Sequence, residues 1–572
     1  MERRVFLAIL LSFVVLFGYQ SFFAPTPVDG PPPAAQPAAP APSAQPVPAA
    51  PAEAAAAPVD EGAEPLVADS AARDIPVDTD TVDAVFNTRG AVVTSWRLTN
   101  YPGDDGEPLD LVPADLPAGS ARPFTLETGD AALDARLATA LFKPTAERID
   151  AGGAAESLGF EYRDASGLVA RKYFTFNAGG HPYVIEMVAS VERNGAPVPF
   201  KVAFGPSLGT GYSTTGSSYY YPPGAITSDG SDADRWDEGD VTEQPRHEGA
   251  FRWAGVADHY FLGALLGDGR PMGLTFTPMS LPVQGAPDGV TRTFVSWTAD
   301  AEAGRPVRLY YGPKDFEILK AVDGTLVRAI DFGIFAFLVV PLLTALQWVH
   351  GYVGNWGWSI VVLTLLINAI MAPLRHKSLV SMRKMQKLQP EVKAIQKRYE
   401  KYKMTDPERQ KMNTEMMALY RERGVNPASG CVPMLLTMPV LFSFYSLLSV
   451  AIELRGAPWF GWIQDLSVHD PLYITPVLMG GTMFWQQYIT PSTADPVQQK
   501  MMLIMPVVFL VMFLWFPSGL VVYWLFSNLW AIGQQMVTNR FVQPEMAVVS
   551  QAPAVRRVKQ KQGRRPGTDG KQ

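Results

Sequence analysis

The chain has 572 residues, a net charge of −7 and one cysteine, Cys431. A single thiol excludes an intramolecular disulfide and a Cys₄ or Cys₂His₂ zinc site, and six scattered histidines argue against a histidine-rich metal centre. The charge is unevenly placed: residues 24–330 carry 22 Lys/Arg against 41 Asp/Glu, whereas residues 374–425 carry 14 against 6.

Residues 1–23 open with Arg3 and Arg4 and continue through an apolar run, residues 5–17. No convincing small-x-small cleavage site follows Tyr19, so the segment reads as an uncleaved transmembrane anchor with its N-terminus inside. Residues 24–68, mostly Ala and Pro, form an extended linker. Residues 69–318 read as a β domain. Leu168–Phe176 and residues 183–191 alternate apolar with polar, and Asn177-Ala178-Gly179-Gly180 supplies a turn between them. Residues 82–98 and 291–311 show the same pattern. Without a regular helix–strand alternation, a large antiparallel sandwich is expected.

Residues 319–350 connect this domain to an apolar second half. Within them, 332–349 is apolar enough to span a bilayer. If both 332–349 and 357–373 crossed, the basic insert 374–425 would lie outside, against the tendency of Lys and Arg to stay in the cytoplasm. The segment, broken by Pro341, is therefore expected along the outer interface. Further spans are expected at 357–373, 430–452, 473–489, 501–516 and 518–538. The fifth has about 16 residues where a full bilayer needs about 20, which suggests a thinned bilayer. Trp356, Trp358, Trp459, Trp462 and Trp515 fall near outer ends, as an aromatic belt. Residues 351–542 thus form a membrane core. Its basic insert reads as a cytoplasmic helical hairpin. Met382, Met385, Leu388, Val392, Ile395, Tyr399 and Tyr402 make one seam. Asp406-Pro407 opens a second helix with Met412, Met416 and Leu419 as its stripe. Residues 543–572 are a basic cytoplasmic tail. The charged hairpin suits contact with anionic lipid or the ribosome.

Enzymatic motifs are weak. Gly205-Pro206-Ser207-Leu208-Gly209 fits G-x-S-x-G, but the loop-like residues that follow do not fit a nucleophile elbow. Ser381-Met382-Arg383-Lys384 fits S-x-x-K only inside a charged helix. There is no Walker A loop and no H-E-x-x-H. The spans hold mainly neutral polar groups: Thr364, Asn368, Thr437, Ser443, Ser446, Ser527, Asn528, Gln534 and Gln535. Coupled transporters usually place charge near the midplane, and inverted repeats are not evident, which counts against a secondary transporter. Thr364, Asn368 and Arg375, four and seven apart, share one helix face and would form a polar stripe deepening from the cytoplasmic side. Such a furrow suits the handling of partly hydrophilic chains.

Several runs resemble the YidC/Oxa/Alb membrane-protein insertases. They are Gly354-Asn355-Trp356-Gly357-Trp358-Ser359-Ile360, Met371-Ala372-Pro373-Leu374, Asn426-Pro427 with Gly430-Cys431-Val432-Pro433, and Asp495-Pro496. The strongest is Phe513-Leu514-Trp515-Phe516-Pro517-Ser518-Gly519-Leu520 with Tyr523-Trp524 and Ser527-Asn528. The resemblance covers most of 350–540. The anchor and large second domain, including Asp258-His259-Tyr260-Phe261, are similar to the Gram-negative form, YidC.

The resemblance implies an α-helical polytopic membrane protein of the inner membrane: an N-terminal anchor plus a five-helix insertase core, with a periplasmic antiparallel β-supersandwich. It implies a hydrophilic groove open to cytoplasm and lipid, lined by Thr364, Asn368, Arg375, Thr437, Trp524, Asn528 and Gln535. A hydrophobic slide would run along the third and fifth spans, over Met438, Leu441, Phe442, Met505 and Phe509. Asn368 stands where the family usually has a basic residue, and Thr437 where it often has Gln. Both termini would be cytoplasmic and residues 24–350 periplasmic. Implied partners are nascent membrane proteins, the Sec translocon, the ribosome (weakly, through hairpin and tail) and the phospholipid bilayer. No cofactor and no catalytic residue are expected. The competing reading is a membrane-anchored periplasmic carbohydrate-binding or mutarotase-like enzyme, although no paired acid and base stand out.

Overall fold

The computed structural model describes residues 64–541, other than 104–105, 114–115, 118, 207, 209–222, 283–290, 403–405, 426–431 and 491–495. The side chains of 282, 291–292, 432–437 and 496–501 are also not described. The expected anchor, nearly all of the linker, the tail, Cys431 and Ser207 therefore lie outside the described residues.

The first half is β-rich, with three sheets among the described residues. An eleven-stranded sheet centres on the order Leu168–Phe176, Val184–Arg193, Pro306–Pro313, Phe261–Leu266 and Trp253–Ala257. A five-stranded sheet contains Met272–Pro282, Thr291–Ala301 and Phe200–Pro206; another contains Val92–Pro102, Val82–Asn87 and Asp74–Thr79. Pairing is antiparallel except between Asp74–Thr79 and Ile149–Gly152. Along Leu168–Phe176 every second residue is buried and those between are half-buried or, at Tyr173, exposed; this strand pairs with Val184–Arg193 in register, Phe174 opposite Met187. Residues 291–311 behave differently. Thr291–Ala301 and Pro306–Pro313 are consecutive but belong to different sheets. Alternation reports which face is buried and carries no information about the partner strand.

Among the described residues the β domain carries three short α-helices: α1 (Ala131–Thr139), α2 (Glu238–Glu243) and α3 (Phe316–Val322). Asp130, Asp237 and Asp315 cap them by accepting from first-turn amides.

Among the described residues the second half has seven α-helices. α4 (Ala336–Val353) contains Pro341 without breaking, which corrects the expected interruption. A proline removes one amide donor, and here it falls in the second turn, where one missing bond leaves the rest of the ladder intact. α5 (Trp356–Arg398) runs 43 residues through Pro373 and Pro390, so the second expected span and the first arm of the hairpin are one helix. α6 (Pro407–Glu422) returns antiparallel: Arg398 pairs with Glu415 at 2.8 Å and Arg423 with Glu391 at 3.0 Å. Leu388, Val392, Ile395 and Met412 are buried between the arms, and Asp406 caps α6 with Pro407 at its first position. Then follow α7 (Val432–Val450), α8 (Ile474–Ile489), α9 (Pro496–Phe513) and α10 (Ser518–Phe541). α9 has 18 residues and begins five residues before the expected fifth span. By length and composition, two described helices can cross a membrane: Gly333–Val353 and Trp356–Arg398.

Candidate functional site

The site grows from one face of α5. Thr364 is 0 % exposed, and its hydroxyl donates to the Ile360 carbonyl at 2.6 Å. One turn on, Asn368 is 4 % exposed; its amide nitrogen donates to the Thr364 carbonyl at 2.8 Å and lies 3.4 Å from Ser527 Oγ on α10. Two further turns along, Arg375 bends back, and Nη1 donates to Asn368 Oδ1 at 2.8 Å. Tyr523, four residues before Ser527, stacks on Phe444 of α7, ring centroids 4.5 Å apart. Thr364, Asn368 and Arg375 therefore come together with Ser527 and Tyr523. Among the described residues, no carboxylate lies within ion-pairing distance of Arg375, which is half-buried.

A polar ladder continues between α5 and α10 toward the C-terminal end of α10. Gln534 donates to the Ala372 carbonyl at 2.7 Å, and His376 Nδ1 lies 3.1 Å from Thr538 Oγ1. Arg383 donates to the Thr538 carbonyl at 2.9 Å and also to Asn539. Carbonyls in the last helical turn lack intrahelical partners, so Arg383 completes the end of α10.

Other expected groove residues point elsewhere. Asn528 turns to α8, 3.3 Å from Thr482 Oγ1 and 3.5 Å from the Met479 carbonyl. Gln535 bonds Asn539 within α10 at 3.0 Å. Trp524 packs on Phe509 and Phe513 of α9, at 5.8 and 4.9 Å. The side chain of Thr437 lies outside those described. Of the residues expected to form a slide, Met438, Phe442 and Met505 are exposed, and Leu441 and Phe509 are half-buried. Ile504, Val507, Val508, Val511 and Met512 extend the exposed apolar surface of α9. An apolar surface of this extent is unfavourable in water and natural against hydrocarbon.

Sequence reasoning missed Tyr523, His376 and Arg383. The positions 523, 527, 534 and 538 recur at helical spacing and could have marked the α5-facing side of α10.

Helices with an apolar exterior and an internal polar seam, carrying a basic hairpin and a β-sandwich, define a polytopic membrane protein with a large extramembrane domain. The sequence matches the family model described as "60Kd inner membrane protein" over residues 348–545 and that of the "YidC periplasmic domain" over 74–345. It is 36% identical over 556 residues to the membrane protein insertase YidC of Geobacter metallireducens, covering 95% of this chain and 99% of the relative. The YidC of Geobacter sulfurreducens is 37% identical over 563 residues, covering 95% and 99%. A solved structure, "Active YidC insertase crystal structure with the first transmembrane domain resolved", is similar at 18% identity and a TM-score of 0.35, covering 84% of this chain and 95% of that one. The sequence relatives decide the matter: the chain belongs to the YidC family of membrane protein insertases.

Proposed function

We propose that this protein inserts and folds helical proteins in the inner membrane without catalysing a chemical reaction. The observation that carries this reading is the Arg375–Asn368–Ser527 cluster, a polar seam inside helices whose outward faces on α7 and α9 are apolar. Each unpaired polar group moved into hydrocarbon costs several kcal/mol. A hydratable seam lowers that cost for the hydrophilic part of a substrate, while its apolar helix leaves along Met438, Phe442 and Met505 into lipid.

Arg375 sharpens the reading. Asn368 alone offers no charge where relatives usually hold a cation. Arg375, reaching back two turns, brings a guanidinium to the same amide. A half-buried cation bonded to a neutral amide keeps an unspent attraction for carboxylates. Acidic translocated segments are the substrates it favours.

The charge asymmetry supports a topology with 374–425 and both termini in the cytoplasm and 24–350 in the periplasm, and α4 along the outer interface. It also supports the division into anchor (1–23), linker (24–68), β domain (69–318), connection (319–350), core (351–542) and tail (543–572). Nascent membrane proteins and bilayer lipid are the direct partners. The Sec translocon would join for larger substrates, and the ribosome would meet the basic hairpin. Reconstitution in protein-free liposomes with a short single-span substrate tests the function: insertion by this protein alone is expected, and none would refute it.

A further inference from the structure

The row of Arg375, Asn368 and Thr364 ends at Thr364, and the positions beyond it on the same helix faces change character. On α5 they are Ile360, which is fully buried, and Gly357, seven residues before Thr364 and so on the same side of the helix. On α10 the position four before Tyr523 is Gly519. Both glycines admit the segment that joins α7 to α8. A Cβ on Gly357 would lie 2.2 Å from Trp459 Cδ1, and one on Gly519 would lie 3.2 Å from the Leu466 carbonyl oxygen and 3.5 Å from Ile360 Cδ1. No side chain fits at 2.2 Å, so glycine at 357 leaves the notch that the indole fills.

The joining segment is bolted to the N-terminal ends of both helices. Asn355, the N-cap of α5, donates from Nδ2 to the Pro458 and Trp459 carbonyls at 3.0 and 3.3 Å. Ser518, the first residue of α10, donates from Oγ to the Val468 carbonyl at 2.5 Å. The amides of Ser518 and Gly519 donate to the Val468 and Leu466 carbonyls at 2.7 and 2.9 Å. First-turn amides have no acceptor within their own helix, and here the segment supplies it. Between the bolts Ile463 and Leu466 are buried, and the Trp459 ring lies 5.7 Å from Trp358 and 6.2 Å from Phe526 of α10. Trp459 Nε1 is buried with no partner among the described residues, so the indole holds its place by bulk and not by a hydrogen bond. The segment leaves α7 beside two further contacts. His259 Nε2 of the β domain lies 2.7 Å from the Ser449 carbonyl oxygen, and Gln347 of α4 donates to Glu453 at 3.1 Å.

We propose that residues 457–468 seal the outer end of the polar seam against protons, with Trp459 as the positioning residue that keys the seal into α5. This rests on the insertion reading and the topology above. Water that enters the seam from the cytoplasm can reach Asn368 and Thr364. It stops at the apolar layer of Ile360 and Leu466, because a constriction without polar partners stays dry. Beyond that layer the indole closes the gap left by the missing side chain of Gly357.

The test reconstitutes the full chain and its variants in liposomes that hold a pH gradient and a trapped pH-sensitive dye, with no substrate present. Trp459→Ala is expected to collapse the gradient at least about fivefold faster than the parent, by emptying the notch. Gly357→Leu is expected to leak likewise, because leucine and the indole cannot share the notch. The two together return one bulky side chain to it from the other side, and the leak is expected to come back within about twofold of the parent. A seal that leaked merely because the segment had misfolded would not be rescued in this way. Trp515→Ala, which removes an exposed indole between α9 and α10, is expected to hold the gradient as the parent does. A tight membrane with either single variant at 357 or 459 would overturn the seal. A double variant as leaky as the singles, or an equal leak through Trp515→Ala, would overturn the role of Trp459. Failure of the parent to insert a single-span substrate in a separate assay would refute the insertion reading instead.

Discussion

The β domain buries a cation and the helical core half-buries one, and the two are satisfied in opposite ways. Lys172 of the β domain is 1 % exposed and donates to three carbonyls, Gly90, Ala91 and Phe124, at 2.6, 3.1 and 2.7 Å. Ala91 and Phe124 both adopt positive φ, so the ammonium pins two strained turns against the sheet. Burial pushes its pKa down to about 7. All three of its donor positions are used, and it has nothing left to offer a ligand. Arg375 of the helical core has five N–H donors and a neutral amide as its described partner. A fully satisfied buried cation holds a fold together, whereas an under-satisfied one at a seam between helices is available to a passing anion.

The comparison can be broken at Lys172 first. Lys172→Met strands three carbonyls, each worth about 1–3 kcal/mol, so the β domain should lose at least about 3 kcal/mol and roughly 6–12 °C in its melting midpoint. An unchanged melt would show that the three bonds contribute nothing net. Next in size, Asn368→Leu should lower insertion of neutral and acidic substrates alike by about tenfold, because it replaces the centre of the seam with hydrocarbon. Asn368→Arg should be tolerated. Liposome insertion assays at matched reconstitution check both, and normal insertion by Asn368→Leu would remove this residue from the site.

The smallest effect concerns pH at the joint between the halves. Burial lowers the His259 pKa to about 4. Its contribution to stability is therefore complete above about pH 6.5 and is lost as pH falls toward 4. Glu453, pushed up by burial to about 7, acts with opposite sign: its contribution is present below about 4.5 and lost as pH rises through 7. Subtracting the stability curve of His259→Gln from that of the parent isolates the histidine. The difference should fall between pH 6.5 and 4, and a flat difference would contradict the buried neutral imidazole.

Periodic features were legible in the sequence, and partner choice was not. Leu168–Phe176 alternated and became a buried-face strand; the seam from Leu388 to Ile395 recurred at helical spacing and became the inside of a hairpin. Thr364, Asn368 and Arg375 shared a face, and the structure brings them into one hydrogen-bonded row. What faces that row was out of reach. Ser527 meets it and Asn528 turns to α8, a difference of one residue or about 100° of rotation on α10. The two strands in 291–311 were readable as strands, but their assignment to separate sheets depends on pairings far away in the chain. The contact of His259 with Ser449 spans 190 residues and leaves no local trace.

Arg375 is the proposed working cation of the seam. The most direct measurement reconstitutes the full chain and its Arg375→Gln variant in protein-free liposomes, each with two single-span substrates that differ only in an acidic or a neutral translocated segment. The predicted result is a loss of about tenfold for the acidic substrate, with the neutral one within twofold and the melting midpoint unmoved. Equal insertion of both substrates by Arg375→Gln at the parent's rate would contradict it.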